Sequence, residues 1–227
     1  WYAKTYARRI IVDNENLLDL IDSIVGDIDC EVFPFEYSLP DMPGYSVGVA
    51  LLSNNGKRPA VVVGCQTDLS PIKALYKALL EALAIYYLAT NGPLLMPHLY
   101  LKKVTNNNYN NLDTNVSLWA NTENYQEKKE FFYTWCKDKV LLSALESQER
   151  GSAEEEISDI LSKLRKKSKY GVYLDITPPE VHNKGWKVVR TFFPELVQMC
   201  LPSFPYSNHP RMQEFGGIKN GLPHPVP

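Results

Sequence analysis

Glu81 is the carboxylate most out of place in the chain, set inside Ala74-Leu75-Tyr76-Lys77-Ala78-Leu79-Leu80-Glu81-Ala82-Leu83-Ala84-Ile85, a run otherwise apolar nearly all round. A charge in such surroundings must be paired or must hold a cation, because an uncompensated buried charge is costly. Lys77 stands one helical turn earlier on the same face, so a plain i,i+4 ion pair and a cation-binding role are both open. A second carboxylate pair, Glu146 and Glu149 in Glu146-Ser147-Gln148-Glu149-Arg150, has the i,i+3 spacing of a magnesium clamp but sits in a polar segment and reads as a solvated helix end. His98, His182, His209 and His224 show no HxxxH or HExxH spacing, which leaves a zinc site unsupported. Neither GxGxxG nor GxxxxGK[ST] occurs, so a Rossmann or P-loop nucleotide site is not expected. Cys30, Cys65, Cys136 and Cys200 form no CxxC pair and no disulfide framework, and core packing in a reducing cytoplasm is their expected role.

The last seven residues, Gly221-Leu222-Pro223-His224-Pro225-Val226-Pro227, carry proline at every second position. Such a tail is stiff and extended and loses little entropy on docking into a groove; the plain alternative is a disordered proline-rich end.

These residues need elements to position them. Asn14 caps a helix with Leu17, Leu18, Ile21, Ile24 and Val25 on one face and Gly26 near its end. Three apolar, β-branched runs follow at 30–37, 45–53 and 58–64, with Asn54-Asn55-Gly56 as a hairpin signal, and read as adjacent strands. Ser70-Pro71 supplies an N-cap and a first-turn proline for a buried helix over 72–88, which Asn91-Gly92-Pro93 is expected to stop. Residues 98–122, rich in asparagine, read as a long polar loop. Helices are expected over 123–139 and 153–169. The second has acidic residues first and Arg165-Lys166-Lys167 last, as the helix dipole prefers, so that basic cluster reads as solvated. Residues 171–176 and 186–192 read as two more strands. The order predicts an α+β fold of mixed α/β layers, a sheet of about five or more strands covered by helices.

With 44% hydrophobic and 22% charged residues the chain is an ordinary globular sequence, and its net charge of −2 argues against a nucleic-acid partner. No stretch of some 18 consecutive apolar residues suggests a membrane span and no signal peptide is evident. Because residue 1 is Trp1 and nothing around it looks like a start, the chain is expected to be a piece of a longer protein.

Three features together make the chain resemble the C-terminal part of the YcaO family, ATP-dependent enzymes that modify peptide backbones. The first is Val63-Gly64-Cys65 followed by the helix of Ala74 to Glu81, similar to the family's A-L-x-R-A-L-x-E-x-x-Q. The second is Tyr170 to Pro178 leading to Val188-Val189-Arg190-Thr191-Phe192-Phe193-Pro194, similar to G-x-x-V-x-x-D-L-T and V-V-R-V-x-x-P-G. The third is the P-x-P-x-P terminus of members that form azoline rings. The resemblance covers most of the chain and implies a single YcaO-like domain of which residues 1–227 are the incomplete, C-terminal part.

It further implies ATP and magnesium as cofactors, with Lys77, Glu81 and Arg190 at the nucleotide and Pro223, Pro225 and Pro227 reaching back to position reacting groups. The magnesium ligands themselves are expected on ExxE helices ahead of Trp1, so no metal ligand is assigned within the chain. The implied activity converts Cys, Ser or Thr of a ribosomal precursor peptide to thiazoline or oxazoline through phosphorylation of the backbone amide. Lys77 stands where the family has arginine, losing the planar fork, and Ala84 where it has glutamine. Those departures support the alternative of a catalytically lapsed module that grips a leader peptide or partner subunit. Expected partners are the precursor peptide, a leader-peptide-binding protein and, through apolar surface left by the missing half, a second copy of the chain.

Overall fold

The computed structural model describes residues 1–100, 112–201 and 203–226. The chain runs β1 (Arg8–Ile11), α1 (Glu15–Val25), β2 (Cys30–Glu36), β3 (Tyr45–Ser53), β4 (Val61–Asp68), α2 (Pro71–Leu95), α3 (Pro97–Tyr100), α4 (Leu112–Ala120), α5 (Tyr125–Trp135), β5 (Asp138–Leu141), α6 (Ala153–Leu164), β6 (Val172–Asp175), α7 (Pro179–His182), β7 (Val189–Phe192) and α8 (Pro210–Glu214). Five strands form one mixed sheet in the order β4-β3-β2-β1-β5, antiparallel except for β1 beside β5. The expected α+β layering is therefore present.

Alternation along β3 and β4 sorts their side chains to two faces. Val47, Val49, Leu51 and Val62 face α1 and α2; Ala50, Leu52, Val61 and Val63 face an aromatic layer of Trp119, Phe132 and Trp135 on α4 and α5. The expected caps form: Asn14 accepts from Leu17 N at 3.0 Å, and Ser70 accepts from Lys73 N at 3.4 Å. Gly64 sits where α2 crosses β4. A Cβ there would lie 2.3 Å from the Ala78 carbonyl, 2.3 Å from Ala82 N and 2.9 Å from Glu81 Cβ, so the absence of a side chain lets helix and strand meet backbone to backbone.

Several expected boundaries move. α2 does not stop at Asn91-Gly92-Pro93 but continues to Leu95, because Ala89 and Gly92 are buried and Met96 N closes the last turn on Gly92 O at 2.7 Å. α2 is long and apolar enough to cross a membrane by length and composition, yet it packs its Ala74, Leu75, Ala78, Leu79 and Ala82 stripe into the core against the sheet. Of the loop expected at 98–122, residues 101–111 lie outside the described residues, whereas 97–100 and 112–120 are helical; burial of Asn115, Val116, Trp119 and Ala120 fixes α4. The helix expected over 123–139 ends at Trp135, and its last residues become β5, drawn into the sheet by β1, a strand that Arg8-Arg9-Ile10-Ile11 does not announce. Residues 146–150 have no regular secondary structure and are not a helix end, with Gln148 N bonded to Leu69 O. The helix expected over 153–169 ends at Leu164. β6 and β7 do not join the sheet: they pair only with each other, and every residue of both is exposed.

The basic end of that last long helix is also not simply solvated. Lys167 lies 3.0 Å from Asp41, and Asp41 takes both Arg211 Nη1 and Nη2 at 2.6 Å, while Arg211 Nη1 also meets Glu214 at 2.9 Å. Arg211 is 7% exposed, so this balanced cluster ties α8, the β2–β3 connection and the segment after α6 into one unit. Beyond α8, Lys219 N and Asn220 N both donate to Tyr2 O, at 2.8 and 2.9 Å, and hand the chain to its tail.

Two outcomes are expected. Gly64→Ala should destabilise the fold by about 3 kcal/mol, since backbone rather than a flexible side chain must move, whereas Gly151→Ala, which meets only the tip of Glu155, should stay within about 0.5 kcal/mol; urea midpoints measure both. Asp41→Asn should lose about 2 kcal/mol at neutral pH, as charge-assisted bonds to a nearly buried guanidinium are removed. Arg211, with Lys167, holds the Asp41 carboxyl well below the ordinary carboxylate value. A depressed native pKa stabilises fully above the unfolded value, so the gap between wild type and variant should be constant above about pH 5 and close only as pH falls below about 4.

Candidate functional site

β4 is an edge strand, and on its outer side the Cys65 N–H is not used by β3. Glu81 supplies the acceptor: its Oε2 takes Cys65 N at 2.6 Å and Gln66 Nε2 at 3.3 Å. The close crossing at Gly64 brings the carboxylate within reach. Of the two roles left open for Glu81, the i,i+4 pair with Lys77 is not formed. Lys77 instead reaches Asp68 at the end of β4, Nζ to Oδ2 2.6 Å, because a strand carboxylate in front of it gives a shorter route than the next turn of its own helix. Nearby, Lys73 pairs with Glu149, so that member of the Glu146–Arg150 segment is engaged in an ion pair.

The tail comes to the other side of the same strand. Trp1 Nε1 donates to Leu222 O at 2.7 Å, Trp119 Nε1 to Pro223 O at 3.0 Å, and Asn115 Nδ2 to His224 O and, at 3.2 Å, to Val226 O. Pro223, His224 and Pro225 are buried. Cys65, Tyr37, Trp135, Cys200, Pro225 and Val226 share the wall of a cavity of about 240 Å³. Glu81 and the tail therefore meet at Cys65, one at its backbone and the other beside its side chain.

The titratable groups at this pocket are shifted mainly by burial. Burial pushes the Cys65 thiol up to about 12 and holds the Tyr37 phenol well above its ordinary value. Burial also lowers His224, whose Nδ1 lies 2.9 Å from Val226 O, so the ring favours its neutral form. Cys30 and Cys136 are raised to about 11 and about 12 by burial as well, which keeps these thiols protonated and suits packing better than nucleophilic attack.

Of the residues expected at a nucleotide, Glu81 lines this region, Lys77 lies one turn away on the solvent side, and Arg190 lies on the separate β6–β7 ribbon opposite Leu174. Pro227 lies outside the described residues. Among the described residues no three His, Cys, Asp or Glu side chains come together as a metal site. Glu81 brings one carboxylate, already spent in part on β4, and Lys77 brings a cation already neutralised by Asp68. These residues do not by themselves fit a magnesium-bound triphosphate. The contributors that sequence reasoning does not single out are Trp1, Asn115, Trp119, Tyr37 and Gln66; the only hint is that a docked proline tail, poor in its own donors, needs donors from elsewhere.

The fold has solved counterparts. The E. coli microcin synthetase McbBCD complex with pro-MccB17 bound matches at TM-score 0.53 and 18% identity, over 85% of this chain and 46% of that one. YcaO from Methanopyrus kandleri bound with AMPPCP and Mg2+ matches at TM-score 0.59 and 15% identity, over 85% and 46%. A heterocyclase in complex with substrate and cofactor matches at TM-score 0.66 and 14% identity, over the whole of this chain and 29% of that one. At these identities the likeness is one of fold, and the chain spans about half or less of the length of these structures. No curated protein matches the sequence. The family model described as YcaO cyclodehydratase, ATP- and Mg2+-binding, matches residues 1–197, which takes in the sheet, the Gly64 crossing, Glu81 and the β6–β7 ribbon: the chain belongs to the YcaO family.

Proposed function

We propose that the chain is the C-terminal portion of an ATP-dependent cyclodehydratase that acts on a ribosomal precursor peptide in the cytoplasm. The observation that carries this reading is that Glu81 caps the Cys65 N–H at the edge of β4 while the proline tail and the Cys65 side chain share the wall of a mostly apolar cavity on the other side of the strand. In the reaction proposed, a Cys, Ser or Thr side chain adds to the preceding amide carbonyl, giving up its S–H or O–H proton as the carbonyl oxygen becomes an oxyanion. The amide oxygen takes the terminal phosphoryl group of ATP, releasing ADP. Loss of that oxygen as inorganic phosphate, with the nitrogen giving up its proton, leaves the C=N bond of a thiazoline or oxazoline. Phosphorylation turns a poor leaving oxygen into a good one, and positioning dominates such chemistry.

The residues of this chain would contribute one wall. Tyr37, Trp135 and Val226 exclude water. The tail is held against β4, and Glu81 is oriented through Cys65 and Gln66. The magnesium ligands would come from the part of the relatives that this chain does not span. A leader-peptide-binding protein and self-association through the exposed ribbon, where Val172, Leu174 and Phe192 face solvent, belong to the same reading.

The second reading is a lapsed module that binds a leader peptide or partner subunit without turning over ATP. The neutralised Lys77 and the strand-capping role of Glu81 favour it.

The isolated chain is expected to release no phosphate from magnesium ATP, and a longer protein containing it together with the remaining YcaO portion is expected to do so when given a precursor peptide. Absence of phosphate release from that longer protein would sink the enzyme reading. Within it, Glu81→Gln keeps an acceptor for Cys65 N but removes the charge, and should slow turnover about 10- to 100-fold if the carboxylate supports the cofactor. A lapsed module should instead bind leader peptide without nucleotide and with affinity indifferent to Glu81→Ala.

A further inference from the structure

A cavity of about 660 Å³ opens beside the start of β1 and the β2–β3 connection, and it shares no wall residue with the pocket at Cys65. That volume lies in the range of sites that enclose a small molecule or a few residues of peptide. Lys4, Arg8, Lys163 and Lys219 line it against a single carboxylate, Glu36. Arg8 Nε and Nη2 both reach Glu36 Oε2, at 3.1 and 3.0 Å, so that pair cancels. The ammonium groups of Lys4, Lys163 and Lys219 remain. Lys163 Nζ bonds Gln148 Oε1 at 2.8 Å, Lys219 Nζ bonds Phe215 O at 2.7 Å, and Lys4 Nζ stands 5.9 Å from the centre of the Phe131 ring. Each of these partners is neutral, and none of the three lysines joins an ion pair among the described residues. On a chain of net charge −2 this cleft is a local positive field, and low-dielectric walls focus such a field on an entering anion.

The donors still open select the kind of anion. Phosphate sites gather a guanidinium fork and backbone N–H groups. Here the Arg8 fork is spent on Glu36, and the amides of Lys4, Ser38, Gly44 and Lys219 are bonded to Trp1 O, Glu36 Oε1, Gln148 Oε1 and Tyr2 O. What is left is lysine point charges on separate segments, with Leu39, Met42 and Phe215 as apolar wall between them. Carboxylates set beside apolar side chains complement that arrangement.

We propose that the cleft bounded by Lys4, Lys163 and Lys219 is a docking site for an acidic peptide segment whose Asp or Glu residues flank apolar side chains. The lysines take the carboxylates, and the apolar wall takes the side chains between them. Gln148 sets the position of Lys163, because its Oε1 also accepts Gly44 N at 3.2 Å. Lys4 holds a left-handed backbone (φ 48°), a conformation that a residue with a Cβ keeps only where its surroundings impose it. The proposal rests on the reading above only in taking the partner to be a peptide. Binding is measured without ATP, so turnover and docking can fail separately.

The test follows the fluorescence anisotropy of a labelled peptide, Glu-Leu-Glu-Leu-Glu-Leu, titrated with the full chain in the absence of nucleotide. Expected is saturable binding that weakens as sodium chloride is added. Lys219→Gln should lower the affinity about threefold, and Lys4→Gly, Lys163→Gln and Lys219→Gln combined about tenfold; glycine at position 4 suits the left-handed backbone while removing the charge. Lys57→Gln, exposed at the β3–β4 turn and so at the far end of β3 from Tyr45, should change nothing. Serine in place of leucine in the peptide, or lysine in place of glutamate, should abolish binding. The proposal is overturned if the chain does not bind the acidic peptide, or if the combined variant, with unchanged circular dichroism, binds it as well as the wild type does. It is equally overturned if inorganic phosphate displaces the peptide at the concentration at which unlabelled peptide does, which would make the cleft a small-anion site. Should the combined variant fail to fold, Lys219→Gln alone decides, since that side chain is exposed and an unchanged affinity would remove the cleft from the binding surface.

Discussion

The contact on which most else depends is the one between Gly64 and α2. With no Cβ at that position the helix axis comes close enough for the Ala78 carbonyl and Ala82 N to lie against the strand. Three consequences follow from that single approach. The small-residue stripe Ala74, Ala78 and Ala82 becomes the buried face of α2. Glu81, one residue from the contact, is brought to the open edge of β4 and caps the Cys65 N–H. Lys77, on the flank, is carried past its own helix to Asp68. An edge strand otherwise presents unpaired backbone groups to any passing chain, and here a helix covers part of that edge.

Much of this was legible in the amino-acid sequence wherever the determinant was local. Asn14, Ser70-Pro71 and Asn54-Asn55-Gly56 each act within three or four residues, and each element they predict is present. Where the determinant is distant, the sequence misleads. β5 looks like the end of a helix because nothing near it reveals that β1, some 130 residues earlier, will pair with it. α4 looks like loop because an asparagine-rich run precedes it and Asn115 lies within it, yet Trp119 and Asn115 gain a buried place against a tail more than 100 residues later. The ribbon of β6 and β7 reads as two more strands, and both form, but pairing and burial are separate properties, and only pairing is realised here.

The candidate site divides in the same way. Glu81 stood out because one carboxylate in an apolar helix needs an explanation, and the explanation proved to be a strand N–H that an i,i+4 rule cannot see. The tail stood out by its prolines. Its receptor did not, because Trp1, Asn115 and Trp119 have no pattern in common and become a set only through the fold. Arg190, expected with Lys77 and Glu81, shares a ribbon face with Val172, Leu174 and Phe192, since Leu174 and Arg190, and Val172 and Phe192, are directly opposed.

The two roles open to Glu81 are less opposed than they look. A carboxylate has two oxygens with room for several donors, and the bonds from Cys65 N and Gln66 Nε2 converge on Oε2. Such bonds fix the plane and direction of the group, which is what outer partners do for a charged group that must act at a set position. The strand cap therefore fixes the orientation of Glu81 while occupying one of its two oxygens. The tail is oriented in the same way, its carbonyls fixed by indole and amide donors. On both sides of Cys65 a group is held by contacts whose strength comes from the fold, so the geometry around Cys65 is set by how rigidly α2 rides on Gly64 and how firmly the Asp41–Arg211 cluster anchors α8.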